Sequence, residues 1–145
     1  MVATKFTLDH LPHRPPMRVV ERIVDVVPGH SARAVRVAHP DDWYFQGHFP
    51  GDPVVPAILL IELLAQTGGV AAAGLHDPPQ RLRIAAIGPF KFPHGARPNQ
   101  TLEAHARVDG HIGGLIKIVG EVLADGVRVA SGSITLGSVR REEEA

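Results

Sequence analysis

Apolar residues follow two rhythms along this chain, and the changes of rhythm mark its elements. Residues 18–27 hold Val19, Val20, Ile23, Val24, Val26 and Val27, a β-branched run that predicts a strand. Pro28-Gly29 is a turn signal. Residues 31–37 then alternate polar and apolar, as a half-exposed strand does. Together they predict a β-hairpin. Beyond His39-Pro40-Asp41-Asp42 and a turn dense in Gly and Pro, the rhythm changes. Residues 56–73 are apolar or small almost throughout and predict one long helix. Pro56 suits its first position, Gly74 suits its end, and Asp77-Pro78-Pro79 forbids continuation. Strand rhythm then returns. Residues 81–87 form one strand, broken by Gly88-Pro89. Residues 101–108 form another, with Leu102, Ala104, Ala106 and Val108 on one side. Residues 115–124 and 127–136 are joined by Asp125-Gly126, a two-residue hairpin signal. Residues 11–17 carry three prolines and predict an extended or turn-like entry.

The order is thus two strands, one apolar helix, then several antiparallel strands. Such a helix needs burial, and a curved antiparallel sheet wrapped around it supplies that. The fold class is α+β. A chain of 145 residues with no internal repeat and no dividing linker is read as one domain, residues 1–145. The acidic end, residues 140–145, is read as a disordered, solvated tail.

Composition removes several classes. Lys plus Arg equals Asp plus Glu at 15 each, without the clustered basic charge of a nucleic-acid footprint. No Cys is present, so thiolate chemistry and disulfides are excluded, and a cytoplasmic setting is expected. No signal peptide is visible. The apolar run is interrupted by Glu62 and several glycines, which reads as a core helix and not a membrane span. No metal-binding His/Cys spacing, nucleophile elbow or phosphate-binding loop occurs.

What remains is concentrated in residues 45–66. His48 lies in the turn Phe45-Gln46-Gly47-His48-Phe49-Pro50-Gly51-Asp52-Pro53, where Gly and Pro hold the backbone in one shape. Glu62 lies on the apolar helix. Burial there favours the neutral carboxyl, a form suited to general-acid work. The plainer reading has Glu62 bonded to Gln66 one turn on, or facing an oligomer contact. The unpaired N–H groups of the helix start, just after His48, suit a developing oxyanion. A base, an acid and an anion-stabilising helix end fit removal of a proton beside a carbonyl with loss of a group at the next carbon. That is dehydration or hydration of an acyl compound.

The chain resembles the FabZ/FabA family of 3-hydroxyacyl-[acyl-carrier-protein] dehydratases, and FabZ more closely. The resemblance runs from Leu11-Pro12-His13-Arg14 and Val19-Val20-Glu21-Arg22 through residues 45–54 to Ile61-Glu62 and Ala65-Gln66. The 48-to-62 spacing equals the family's catalytic spacing. It implies a hot-dog fold and an acyl thioester substrate carried on the phosphopantetheine of acyl carrier protein, with no other cofactor and no metal. His48 is then expected to take the C2 proton and Glu62 to protonate the departing C3 hydroxyl. Gly47, Phe49, Pro50, Gly51, Pro56 and Gln66 shape the site. The resemblance also implies a homodimer whose His and acid come from different subunits, extending to a trimer of dimers. Fatty acid biosynthesis is the implied pathway.

Two departures stand out. The family's Pro-Gly at the helix start is Pro56-Ala57 here. The thioester contact is thereby assigned to the Ala57 N–H, with an added methyl beside it. The family's basic stretch near residues 91–92 gives way to Pro93-His94-Gly95-Ala96, leaving Arg81, Arg83, Lys91 and Arg97 as carrier-docking candidates. A hot-dog thioesterase, a FabA-like dehydratase/isomerase and a non-catalytic acyl-carrier-binding subunit are the alternatives. Glu62, where the isomerising branch has Asp, argues against isomerisation.

Overall fold

The computed structural model describes residues 8, 11–75 and 81–138. Six strands make one antiparallel sheet: β1 (Arg22–Val27), β2 (Ser31–Val37), β3 (Leu82–Lys91), β4 (Thr101–Ile112), β5 (Leu115–Ala124) and β6 (Val127–Ser138). Their order across the sheet is β1-β2-β4-β5-β6-β3. The one long helix, α1 (Ala57–Ala72), packs on β4, β2, β5 and β6. This is the expected α+β hot-dog architecture.

Alternation does the sorting. In β4, Leu102, Ala104 and Ala106 are buried while the residues between them are not. Ile116, Ile118 and Val122 of β5 and Ala32 and Ala34 of β2 join the same interior. From α1 come Leu59, Leu60, Leu63 and Leu64, all at most 4% exposed. Each such leucine contributes about 1.5–3 kcal/mol. That outweighs the roughly 1 kcal/mol lost at each helix glycine. Gly68 is needed regardless, because a Cβ there would sit 2.8 Å from Ile118 Cγ2.

Three expectations are corrected. The first strand starts at Arg22, not at residue 18. The N–H groups of Val19 and Val20 donate to the side chain of Gln66, so this segment follows α1 before it joins the sheet. Pro56 is the N-cap of α1 and not its first helical residue. Gly88-Pro89 does not end β3, which continues to Lys91 with a register irregularity between Ile87 and Phe90. β3 is an edge strand, and an edge tolerates a residue lacking its N–H. A Cβ at Gly88 would displace Ser133 Oγ.

The Asp125-Gly126 hairpin forms as predicted, both residues taking positive φ (47° and 85°). After α1, residues Ala73–Leu75 form a 3₁₀ turn that includes Gly74. The Asp77-Pro78-Pro79 stop and the acidic tail lie outside the described residues. No helix among the described residues is long and apolar enough to cross a membrane.

β4 and β5 leave no room for a side chain at Gly120, where a Cβ would lie 2.1 Å from the backbone oxygen of His105 on β4 and 2.8 Å from Leu64. Neither a backbone carbonyl nor a fully buried leucine can yield freely. Gly120→Ala is expected to destabilise the protein by about 1–3 kcal/mol or more, measured by chemical denaturation. A midpoint equal to the parent's would contradict this packing.

Candidate active site

The turn before α1 is wound by three left-handed residues, Gly47 (φ 73°), Phe49 (φ 60°) and Gly51 (φ 87°). Positive φ is costly for an aromatic residue such as Phe49, and backbone strain of this kind clusters at functional sites. The turn is held from both sides. The His48 N–H donates to Phe45 O at 3.2 Å and the Val55 N–H to Ala96 O at 2.8 Å. Asp52 pairs with Arg97. Both side chains of that pair are exposed.

His48 is half-buried, and its ring meets Phe49 edge-on at 4.7 Å. Its Nδ1 lies 2.9 Å from Val54 O. A carbonyl can only accept, so Nδ1 carries the hydrogen. In the neutral ring Nε2 is then a bare lone pair, the form a general base needs. Pro56 caps α1 without any side-chain hydrogen bond. Among the described residues, the N–H groups of Ala57 and Ile58 have no hydrogen-bond partner. Gly47, His48, Pro56, Ala57 and Ile58 border one cavity of about 500 Å³. Base and anion-binding helix end thus face the same space. The Ala57 methyl is exposed there, and Ile58 is 76% exposed, an apolar side chain left uncovered at the cavity edge.

Glu62 lies elsewhere. Together with Gln66, His13, Met17 and Arg83 it borders a separate cavity of about 360 Å³ between the N-terminal segment and β3. The structure does not bring His48 and Glu62 into one cavity of one chain. The Glu62 side chain keeps 25% of its exposure and is less enclosed than the apolar helix suggested. Its Oε2 accepts from Gln66 Nε2 at 2.8 Å, the contact anticipated by the plainer reading. Gln66, 1% exposed, also accepts from the N–H groups of Val19 and Val20 and donates to Met17 O. Every polar atom of its amide is used, so the carboxylate that it holds is fixed in place.

Sequence reasoning passed over two features. His13 Nε2 stands 3.5 Å from Glu62 Oε2. The signal was present in Leu11-Pro12-His13-Arg14, but three intervening elements separate His13 from Glu62 along the chain. The second feature is the group of Arg36, Asp42 and Tyr44 behind the His48 turn, which carries no local motif. All four docking candidates are exposed, Arg81, Arg83 and Lys91 at or near β3 and Arg97 in its pair with Asp52.

A family model described as a FabA-like domain matches residues 11–133. The chain belongs to the FabA-like family. Among curated relatives it is 40% identical over 100 residues to the 3-hydroxyacyl-[acyl-carrier-protein] dehydratase FabZ of Chloroflexus aggregans, covering 68% of this chain and 69% of that one. It is 35% identical over 136 residues to the FabZ of Nitratidesulfovibrio vulgaris, covering 92% and 88%. Among solved structures, the dehydratase heterocomplex ApeI:P of Xenorhabdus doucetiae superposes with a TM-score of 0.78. That likeness, at 16% identity, covers 93% of this chain and 91% of that one, and it shows the shared fold.

Tyr44, the chain's one tyrosine, is 5% exposed. Burial, and next its hydrogen bond to the Asp42 carboxylate, push its phenol well above the ordinary value. The unfolded chain therefore ionises first. The resulting stability is complete below about pH 10 and is lost as pH rises above that. Alkaline titration followed by tyrosinate absorbance should show no ionisation until unfolding begins. Tyr44→Phe should flatten the alkaline fall in stability. A phenol titrating near its ordinary value in the folded protein would contradict this.

Proposed function

We propose that the protein is a FabZ-type 3-hydroxyacyl-[acyl-carrier-protein] dehydratase of fatty acid biosynthesis, with no cofactor beyond the phosphopantetheine arm that carries its substrate. The observation that carries the mechanism is the orientation of His48, whose Nδ1–H is committed to Val54 O so that Nε2 is bare. His48 borders a cavity that also takes in the open helix start.

The thioester carbonyl accepts from the Ala57 N–H at the positive end of α1. His48 Nε2 removes a C2 proton, and charge moves onto the carbonyl oxygen. The C3–O bond then breaks. The carboxyl of Glu62 of the partner subunit gives its proton to the leaving hydroxyl, so water departs and a trans-2-enoyl thioester remains. The proton held by His48 returns to Glu62 through solvent, which restores both groups. Two observations support a dimer. His48 and Glu62 of one chain border different cavities, and Ile58 of α1, at the edge of the His48 cavity, is an uncovered apolar side chain. Juxtaposing two copies of this face gives two equivalent sites, each using the base of one subunit and the acid of the other. Gln66 holds the acid, while Gly47, Phe49, Pro50, Gly51 and Pro56 hold the base and the helix start. Arg81, Arg83, Lys91 and Arg97 are the proposed contacts for an acidic carrier protein, which acts in the cytoplasm.

His48→Ala and Glu62→Gln should each lower the rate of dehydration by about 10²–10⁴-fold while melting as the parent does. The readout is mass spectrometry of 3-hydroxyacyl thioesters of several lengths, on carrier protein and on coenzyme A. Free acid as the main product would point to a thioesterase. Mixing the two inactive variants under subunit exchange tests the shared sites. Half the dimers are then mixed, each with one intact site, and about a quarter of full activity should return. A mixture that remains inactive would place both groups in one chain's site.

A further inference from the structure

The turn that aims His48 is joined to a largely buried polar group. Trp43–Phe45 form a short 3₁₀ turn with Asp42 at its N-cap. An aspartate there ordinarily bonds its own turn's N–H groups, yet Asp42 makes no side-chain cap bond. Its Oδ2 instead accepts from Tyr44 Oη at 2.6 Å, from Arg36 Nη2 at 2.9 Å and from the His39 N–H at 3.0 Å. Arg36, on β2, also donates to Val19 O at 3.1 Å and lies over the Tyr44 ring, 5.6 Å from its centroid. The Arg36 and Asp42 side chains are 13% and 14% exposed.

The other face of the Val19 peptide segment leads to the acid. The Val19 N–H donates to Gln66 Oε1 at 2.9 Å, and Gln66 Nε2 donates to Glu62 Oε2 at 2.8 Å. One hydrogen-bonded frame therefore runs from the His48 turn through Tyr44, Asp42, Arg36, Val19 and Gln66 to Glu62. A largely buried ion pair gains little stability over apolar side chains of equal volume. Stability alone therefore does not account for it, whereas fixed geometry does. Tyr44 also borders the His48 cavity.

We propose that Arg36, Asp42 and Tyr44 are positioning residues for the base: they lock the 42–48 turn so that His48 keeps Nδ1 on Val54 O and Nε2 toward substrate. The proposal rests on the reading of His48 as the base. It goes further by assigning three residues, which act through the turn and not on the reacting atoms, to hold that base and to set it in the same frame as the acid.

The test uses the full chain. Tyr44→Phe removes one hydroxyl and leaves the ring, and Arg36→Lys keeps the charge but not the three-way bridge. A small displacement of the base should lower kcat by about tenfold with KM nearly unchanged. Long-range ¹⁵N–¹H NMR of the histidine rings, with the His48 signals identified by their loss in His48→Gln, reads the tautomer without any turnover. The parent should show His48 protonated at Nδ1 alone, and a folded variant should show a mixture of tautomers. Melting curves establish which variant is folded, and either one suffices. Unchanged kcat, or a lower kcat with the His48 tautomer unmoved, overturns the proposal. A tautomer shift in a protein that dehydrates no hydroxyacyl thioester upholds the positioning role and overturns the proposed reaction instead.

Discussion

Burial of α1 is the constraint on which the rest of the structure depends. The helix carries a single charged side chain, and its leucines have no stable place in water. Once β2, β4, β5 and β6 close on it, every polar group on its length needs a partner. Thr67 solves this locally by bonding Leu63 O. Gln66 cannot, and it draws the N-terminal segment across the helix to satisfy its amide. The position of residues 17–20, and of the cavity beside Glu62, is thus a consequence of satisfying one buried amide.

The same constraint fixes the other end of the helix. Because α1 is anchored by its leucines, its start at Ala57 has a set position. The strained turn before it can therefore hold His48 at a defined place relative to open N–H groups. Left-handed Phe49 sits in a turn tied by Val55 N–H to Ala96 O, by Asp52 to Arg97, and by the half-buried carboxylate of Asp42 at the start of the preceding 3₁₀ turn. Strain of this kind survives only where neighbouring contacts over-determine the backbone.

Most of the fold was legible in the chain, for identifiable reasons. Alternation in β4 and β5 and the Asp125-Gly126 turn are local signals, and local signals can be read locally. The misread positions were those where a distant partner overrides local preference. Val19 and Val20 have strand-forming side chains, but Gln66 takes their N–H groups. Gly88-Pro89 looks like a break, but an edge strand has one side unpaired and carries the proline.

The sequence by itself determined the fold class, the helix, the hairpins and the two residue types around which the chemistry is proposed. Each is encoded by neighbours within a few positions, or by spacing along one element. Only the tertiary structure decided the tautomer of His48, the setting of Glu62 among Gln66 and His13, and the separation of the two groups into different cavities. Those depend on which backbone carbonyl, amide or carboxylate is brought up from a remote part of the chain. The local pattern of His48 and Glu62 would be the same whether they faced one cavity or two.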